Sequence, residues 1–505
     1  MHAVDSALLG NVSPHAFADD VRRALSLRWM LVLVASGALA AGVGAFVDLS
    51  WLFLGGCLLL LVASFKEPRL GVFVLLAMAV VFREETWQAG FFGGSPESAS
   101  TLYTYDFHGL KVEYALGAGA FLGTLIAVRK LPLRWKEPFV LALLALLVAD
   151  VWGEVWGRIQ TGYSAHLFGH WVMLAAPVLL ALVVRAWATR ENVAFALRWL
   201  TVVAVGRLLF GLIRLAAGGG DVHWQLGRRI VFFDWADGMV AVLVCGVGAL
   251  LVVAPRLRWP QRLVGLVLVL LGAAVIDLSF RRLAMVASMV MVVTVVALTW
   301  RRRPLVAAVA AVAAATVWFG VLNPPLPGAG SLRARTGSIV KVDVKREQAA
   351  KDEQTNEFHV AELKDGLLHI AERPLQGWGY RTAPPRKVAY LQRPQFSLAR
   401  INVYHDLYVN TWFRLGILGI LGLAATVVLG LRAGVVSLRR DGPPETVILF
   451  ALAAAMAAAS FFAPVSNSYR LPLFLFAPLA ALVALAPPMR SGASGPSAAE
   501  GHAEH

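Results

Sequence analysis

The stretch from Tyr404 to Arg432 reads YHDLYVNTWFRLGILGILGLAATVVLGLR, a short polar lead followed by a long apolar run. An apolar run of about 20 residues can cross the hydrocarbon core of a bilayer as a helix. His405 therefore stands at the predicted mouth of a membrane helix, at the end of a polar segment. This placement makes the stretch from Glu372 to Gly419 the candidate for chemistry in this chain.

The composition places the chain among membrane proteins. Of its 505 residues, 58% are hydrophobic and 15% are charged, which is far more apolar than a soluble globular protein. The net charge of +15 does not indicate nucleic-acid binding, because the basic residues stand in short clusters between apolar runs, as topology determinants do. Cys57 and Cys245 both lie inside apolar runs, so neither a disulfide framework nor a cysteine metal site is predicted.

The apolar runs predict an all-α polytopic membrane protein with about 12–14 transmembrane helices. The fourteen predicted helix cores are 29–47, 51–65, 70–83, 112–128, 138–155, 168–186, 193–213, 231–253, 263–279, 283–300, 305–322, 404–431, 445–463 and 470–487. If every core crosses once, the basic clusters fall on one side, which the positive-inside bias makes the cytoplasm. Both termini are then cytoplasmic, and the largest loop lies outside.

Five parts follow from this topology. They are a cytoplasmic N-terminal segment (1–26), a first transmembrane bundle (27–322), the outer loop or lid (323–403), the last part of the bundle (404–488) and a disordered cytoplasmic tail (489–505). Within the outer loop, Phe358, Leu363, Leu367 and Ile370 recur at helical spacing. This spacing predicts a short amphipathic helix over Glu357–Ile370 that lies over the membrane face.

Several basic residues on the predicted outer side oppose the positive-inside bias. Among them are Arg158, Arg214, Arg228, Arg229, Arg281, Arg282 and Arg470. As a set they suit an anionic ligand, since a guanidinium matches phosphate oxygens bidentately. Individually each is explained by snorkelling or by pairing with an acidic residue. Arg207 and Arg214 share one face of their helix, as Asp150 and Glu154 share one face of another, so a structural pairing of these two helices and a substrate role both stay open.

Three patches stand in a fixed order around the outer loop. Leu278–Ala284 reads LSFRRLA, Glu372–Gly379 reads ERPLQGWG, and His405–Tyr408 reads HDLY, with Gly416 and Gly419 downstream. They resemble the Ser-Arg-Gly-Ala, Pro-Leu-x-Gly-x-Gly and His-Asn-x-Tyr-Leu motifs of the O-antigen ligase and O-antigen polymerase superfamily of bacterial membrane glycosyltransferases. The resemblance covers about half of the chain, over residues 190–435.

The chain also departs from the family pattern. Asp406 replaces the asparagine after the histidine, and Arg414 stands where a glutamate is expected. Leu283 replaces the glycine after the family's arginine, which leaves Arg281 or Arg282 as the match. Arg282 is favoured because the following alanine then falls in register.

The resemblance implies a GT-C-like enzyme of the bacterial inner membrane, with a periplasmic active site. Such proteins move a glycan from an undecaprenyl-diphosphate donor to a sugar hydroxyl, as in lipopolysaccharide or exopolysaccharide synthesis. His405 would be the base for the acceptor hydroxyl, and Arg282 would stabilise the diphosphate leaving group. The expected helpers are Arg281, Arg229 and Arg214 at the diphosphate, and Asp406, Tyr408, Gly377 and Gly379 in support. No cofactor and no metal are expected, because arginine can replace a divalent ion at a diphosphate.

Three functions remain as alternatives at this point. Phe358 and His359 occupy the spacing at which ligases acting on lipid A carry a loop arginine. This difference favours the first function, a polymerase. The second is a ligase that transfers finished glycan to lipid A-core, or a related oligosaccharyltransferase that acts on protein. The third alternative, a transporter or flippase, would need charges through the inner half of the bundle. For His405 itself, the structural alternative is an interfacial histidine at a helix start, with Tyr408 in an aromatic belt. The expected partners are a lipid-linked glycan donor, a glycan or lipid A-core acceptor and membrane lipid.

Overall fold

The computed structural model describes residues 14–81, 110–127, 135–162, 172–218, 221–223, 228–230, 235–254, 257–279, 282–300, 346–380, 382, 384–392, 404–440, 442–461 and 471–486. These residues form fourteen α-helices: α1 (Pro14–Phe46), α2 (Ser50–Lys66), α3 (Pro68–Val81), α4 (Val112–Ala127), α5 (Pro138–Thr161), α6 (Val172–Trp187), α7 (Arg190–Ala216), α8 (Trp235–Val253), α9 (Trp259–Leu278), α10 (Arg282–Trp300), α11 (Arg346–Glu372), α12 (Leu407–Arg439), α13 (Pro444–Ala459) and α14 (Leu471–Leu485). A small antiparallel hairpin of β1 (Asp221–His223) and β2 (Arg228–Ile230) links α7 to α8, and a 3-10 turn spans Ala389–Gln392.

The helices agree with the predicted apolar cores. In the described part of the chain, five helices are long and apolar enough to cross a membrane by length and composition, namely α1 over Arg28–Ala45, α5, α7, α9 and α12, and eight more are shorter apolar helices. Together they coincide with thirteen of the fourteen predicted cores, and the core at 305–322 lies outside the described residues. The prediction of an all-α polytopic membrane protein is confirmed.

Local sequence explains where the best-defined helices begin. Pro138 is the first residue of α5, where its missing N–H costs nothing because that group has no helical partner anyway. Thr189 caps α7 by accepting a hydrogen bond from the backbone of Asn192 at 3.3 Å. Asp406 caps α12 with two such bonds. A proline thus marks the start of α5, and a capping side chain marks the start of α7 and of α12.

Helix α12 occupies the centre of the part that carries the candidate site. It packs against α5, α13 and α14, and the outer helix α11 packs on its first turns. Glycines allow α5 to approach closely: a Cβ on Gly422 would lie 3.0 Å from the backbone of Leu146, and one on Gly157 would collide with the backbone of Tyr380. The outer loop therefore rests directly on α5 and α12.

Helix α12 is broken at Gly416, whose backbone has φ 70° and ψ −163°. The outer loop hydrogen-bonds to the groups on either side of the break: Trp378 N donates to Phe413 O at 2.7 Å, Gly379 N to Arg414 O at 3.0 Å, and Ile417 N to Leu375 O at 3.1 Å. Irregular backbone within a membrane helix is tolerated only where protein or water satisfies its polar groups. The outer loop provides hydrogen-bond partners for the backbone groups at the break, and the same bonds hold the loop against α12.

The amphipathic helix predicted in the outer loop is present as α11, but it begins earlier, at Arg346, and its buried face differs from the apolar stripe. Leu363 and Leu367 are exposed, whereas Glu362, Asp365 and His369 are buried. The two carboxylates face the protein because Tyr404 and His405 bind them, and His369 packs against the rings of Trp378 and Phe413. Of the predicted apolar stripe, Ile370 is buried and Phe358 is half-buried, so hydrophobic periodicity predicted the helix but only part of its inner face.

The sequence left open a structural pairing of the arginines of α7 with the carboxylates of α5. The contacts of these charged residues join other elements. Arg207 on α7 bonds to Asp237 on α8 at 3.2 Å. On α5, Glu154 bonds to Arg158 at 2.8 Å, and Asp150 accepts a hydrogen bond from the hydroxyl of Tyr380 in the outer loop at 2.5 Å. The carboxylates of α5 thus bind their own helix and the loop.

Candidate active site

His405 is held at the entrance of α12 by the residues that follow it. The carboxylate of Asp406 accepts hydrogen bonds from the backbone N–H groups of Tyr408 at 2.8 Å and Val409 at 3.0 Å. Leu407 N donates to Ser460 O at 2.8 Å, which ties the same turn to the end of α13. Because both ends of this turn are fixed, the histidine has a defined position at the mouth of the bundle.

The side chain that orients His405 comes from α11. Its Nδ1 lies 2.7 Å from Oε2 of Glu362, whose side chain is only 4% exposed. Sequence reasoning placed Asp406 among the residues that support His405, but the structure pairs His405 with Glu362 of α11. Asp406 caps the helix instead, and burial raises the pKa of its carboxyl. Glu362 was not among the predicted site residues.

Electrostatics keeps Glu362 ionised. Burial by itself raises the pKa of a carboxyl group, but the hydrogen bonds and charges of His359 and His405 outweigh burial and hold the pKa of Glu362 below its ordinary value. An ionised carboxylate only accepts hydrogen bonds, so the proton of the 2.7 Å contact belongs to Nδ1 of His405. In the neutral imidazole, the second ring nitrogen, Nε2, is then the acceptor.

A second histidine lies beside this pair. Nδ1 of His359 is 3.6 Å from the same Oε2 of Glu362, and the rings of His359 and His405 meet edge to face with centroids 5.1 Å apart. Phe358 packs against His405 from the same helix, with centroids 5.9 Å apart. The His405 side chain remains 32% exposed, so the cluster is open on one side.

Below this cluster, Asp365 joins α11 to the rest of the outer loop. It is fully buried and accepts hydrogen bonds from Tyr404 Oη at 3.0 Å, Arg386 at 3.1 Å and the backbone N–H of Lys387 at 2.6 Å. Tyr404 immediately precedes His405 in the chain and packs edge to face on Phe413 of α12. The residue before the histidine is thus as firmly fixed as the residue after it.

Gly377 and Gly379, predicted to permit a tight turn, both have positive φ, 69° and 78°. A Cβ on Gly377 would lie 2.6 Å from Gly416 N, and one on Gly379 would lie 2.5 Å from Gly157 N. Arg414, which stands where the family has a glutamate, is buried and donates to the carbonyl groups of Gly379 at 3.0 Å and Thr382 at 2.8 Å. These contacts hold the outer loop against α5 and α12, next to the cluster of His359, Glu362 and His405.

The remaining predicted residues lie elsewhere or outside the description. Tyr408 donates from its hydroxyl to Ala457 O at 3.0 Å and so ties α12 to α13. Arg214 is half-buried in the last turn of α7. Arg282 begins α10 and Arg229 lies in β2, both with side chains outside the description, and Arg281 is wholly outside it. The roles of these four arginines stay predictions.

Sequence reasoning missed Glu362 and His359, although a signal for them exists. They are spaced i, i+3 on a predicted helix, which places them on one face. A His-x-x-Glu pattern on a helix in the same loop as the candidate base indicates a functional site as strongly as the glycine motifs do. No local pattern predicts that this face of α11 contacts His405, because Glu362 and His405 are 43 residues apart in the sequence.

A family model described as O-Antigen ligase matches residues 266–424, about a third of the chain. The match supports membership of the O-antigen ligase and polymerase superfamily. No curated protein matches the chain significantly. The matched segment begins in α9 and includes α10, α11 and the first half of α12, so the His405 and Glu362 pair lies inside the O-antigen ligase match. Arg214 and Arg229 lie before it.

Proposed function

We propose that this protein is a glycosyltransferase of the bacterial inner membrane that moves a glycan from an undecaprenyl-diphosphate donor to a sugar hydroxyl on the periplasmic side. The observation that supports this most strongly is the pairing of His405 with Glu362 at the mouth of α12. The family match supports an O-antigen ligase or polymerase type of function in general. Both termini are proposed to be cytoplasmic, with the donor, the acceptor and the surrounding lipid meeting at the outer face.

The pair can perform base catalysis in a defined order. Nδ1–H of His405 donates to Glu362, and Nε2 takes the proton of the acceptor hydroxyl as that oxygen attacks the anomeric carbon of the donor. The bond from this carbon to the diphosphate oxygen breaks, and the diphosphate leaves with the electron pair. The carboxylate of Glu362 stabilises the imidazolium that forms, as an orienting acid does in a catalytic triad. Glu362 is therefore a positioning residue.

The leaving diphosphate needs fixed positive charge. We assign that role to Arg282 first, with Arg281, Arg229 and Arg214 as helpers, on the strength of their predicted outer position and of the resemblance at Arg282. A guanidinium binds two phosphate oxygens at once without a metal ion. We accordingly expect transfer to proceed without a resident metal or cofactor.

Within the superfamily we favour polymerisation of a lipid-linked repeat. The part of α11 from Glu357 to Glu372 contains no arginine, and the rings of Phe358 and His359 pack against His405. The description of the matching family favours the second candidate, a ligase that transfers finished glycan to lipid A-core. A deletion strain separates the two. Carrier lipid bearing single repeats supports the polymerase, and full-length polymer accumulating on the carrier supports the ligase.

The test of the catalytic proposal is transfer by the purified protein in lipid nanodiscs with a lipid-linked donor. His405→Ala should reduce the transfer rate roughly 10²- to 10⁴-fold, the usual contribution of a positioned base. The matched control is His369→Phe, which removes a buried histidine of the supporting helix and should keep the rate within about tenfold. Parental transfer by His405→Ala would overturn the proposal.

A further inference from the structure

The cluster at the mouth of α12 contains more ligands than a base and its orienting acid require. His405 and Glu362 complete that pair at 2.7 Å. His359 adds a second imidazole, with Nδ1 3.6 Å from the same carboxylate oxygen. One ligand atom from each of the three residues lies within 4.8 Å of the other two. Two imidazoles and a carboxylate are a ligand set that zinc takes in proteins, with a fourth position left open.

We propose that His359, Glu362 and His405 bind a borderline divalent cation such as Zn²⁺, and that the bound ion inhibits glycan transfer. Imidazole ligands favour this class of ion over Mg²⁺, which prefers oxygen ligands and retains its water. The inhibition, though not the binding, rests on the proposed function of His405 as the base.

The geometry needs only a small adjustment to receive the ion. Ligand atoms around a tetrahedral zinc lie about 3.3 Å apart, given metal–ligand distances of roughly 2.0 Å. Glu362 is buried and already bonded to His405, so these two ligands are pre-positioned. The side chain of His359 is 38% exposed, and its Nδ1 already lies 3.6 Å from Oε2 of Glu362. Phe358 covers one side of His405 and limits solvent access to the ion.

The ion would inhibit by occupying the ring nitrogen that faces Glu362. With Nδ1 of His405 bound to metal, the neutral imidazole carries its proton on Nε2. Nε2 then donates a hydrogen bond and has no lone pair with which to take a proton from an acceptor hydroxyl. The carboxylate of Glu362 is at the same time withdrawn from its orienting role.

Binding is tested with the full-length purified protein, chelator-treated and dialysed against Zn²⁺ alone. We expect one zinc per chain, with affinity reduced at least ~10-fold in His359→Ala and in Glu362→Gln. Glu357→Gln removes an exposed carboxylate from the same helix and should bind zinc as the parent does. Millimolar Mg²⁺ should not displace the zinc. No stoichiometric binding, or unchanged binding by His359→Ala, would overturn the site.

Inhibition is then measured as the ratio of transfer rates with and without Zn²⁺ for each variant, so that every variant is compared with its own metal-free rate. His359→Ala should need at least ~10-fold more zinc for half-inhibition than the parent. Stoichiometric binding without inhibition, or stimulation by zinc, would overturn the inhibitory role. Failure of the proposed function is distinguishable, because zinc binding by dialysis does not depend on any glycan substrate.

Discussion

Two histidine and carboxylate pairs differ in almost every physical respect, although both carboxylates lie on α11. Glu362 pairs with His405 at the start of α12, whereas Asp365 lies beside His369 of α11 itself. Glu362 meets His405 at 2.7 Å, and that histidine is 32% exposed. Asp365 lies 3.8 Å from His369, which is 1% exposed and whose Nδ1 lies 3.5 Å from the carboxylate of Glu372. Asp365 instead binds groups of the outer loop. The same residue types thus give an open, oriented pair in one place and a sealed structural junction in the other.

The difference arises from what surrounds each pair. His369 is enclosed by the aromatic rings of Trp378 and Phe413, and its burial lowers its pKa below the ordinary value despite the nearby carboxylates of Asp365 and Glu372. It is therefore kept neutral inside the loop. His405 stands at the start of α12, and its side chain is 32% exposed. Exposure, more than residue type, distinguishes the two pairs.

The largest expected effect is on the open pair. Glu362→Gln keeps the shape of the side chain but removes the charge that stabilises an imidazolium. We expect kcat to fall roughly 10²-fold or more, with KM within about twofold of the parent. Steady-state transfer kinetics in nanodiscs would measure both. A higher KM at unchanged kcat would show that Glu362 serves substrate binding and would contradict its positioning role.

The sealed junction should respond in stability. Asp365→Asn removes the charged partner of Arg386 and weakens its bonds to Tyr404 and Lys387. Breaking such a buried pair costs about 3–5 kcal/mol, and hydrogen exchange should show loss of protection along α11. Glu357→Gln, exposed on the same helix, should change stability by less than about 0.5 kcal/mol. Equal effects of the two variants would refute the junction.

The support beneath both pairs depends on the break in α12. Gly416→Ala places a side chain at φ 70° and against the carbonyl of Leu375, so we expect destabilisation by about 1–3 kcal/mol. Gly117→Ala is the control, because its Cβ meets nothing within 4 Å and a helical alanine is favoured by about 1 kcal/mol. Unfolding monitored by tryptophan fluorescence compares the two; a Gly416→Ala variant as stable as the parent would mean that the break is dispensable.

The smallest effect concerns pH. Because the pKa of His369 is lowered in the folded protein, the unfolded chain binds a proton that the folded chain does not. The contribution of this residue to stability is therefore complete above the ordinary histidine pKa of about 6.5 and decreases as pH falls below it. Asp365, Glu372 and Lys387 are the charged groups that face it. Thermal unfolding of His369→Phe should depend less on pH in this range; parallel curves would contradict the assignment.

Much of the fold could be predicted from the sequence because membrane insertion depends on properties of single segments. Thirteen of the predicted cores became helices, since length and hydropathy act within each segment. The partner of His405 could not be predicted in the same way, because Glu362 and His405 are far apart in sequence and meet only when α11 packs on α12. The ion pair of Arg207 with Asp237 on α8 could not be predicted either, because it also depends on how two helices pack.

Alone, the sequence determined the membrane class, the apolar helices and the position of His405 just before α12, because each depends on local composition and spacing. The tertiary structure decided which face of α11 is buried, that Glu362 and His359 join His405, and that a second histidine on the same helix is sealed. These choices depend on long-range packing, since a buried carboxylate is stable only where another segment brings it a partner. Such a partner is specified by the whole fold and by no single stretch of it.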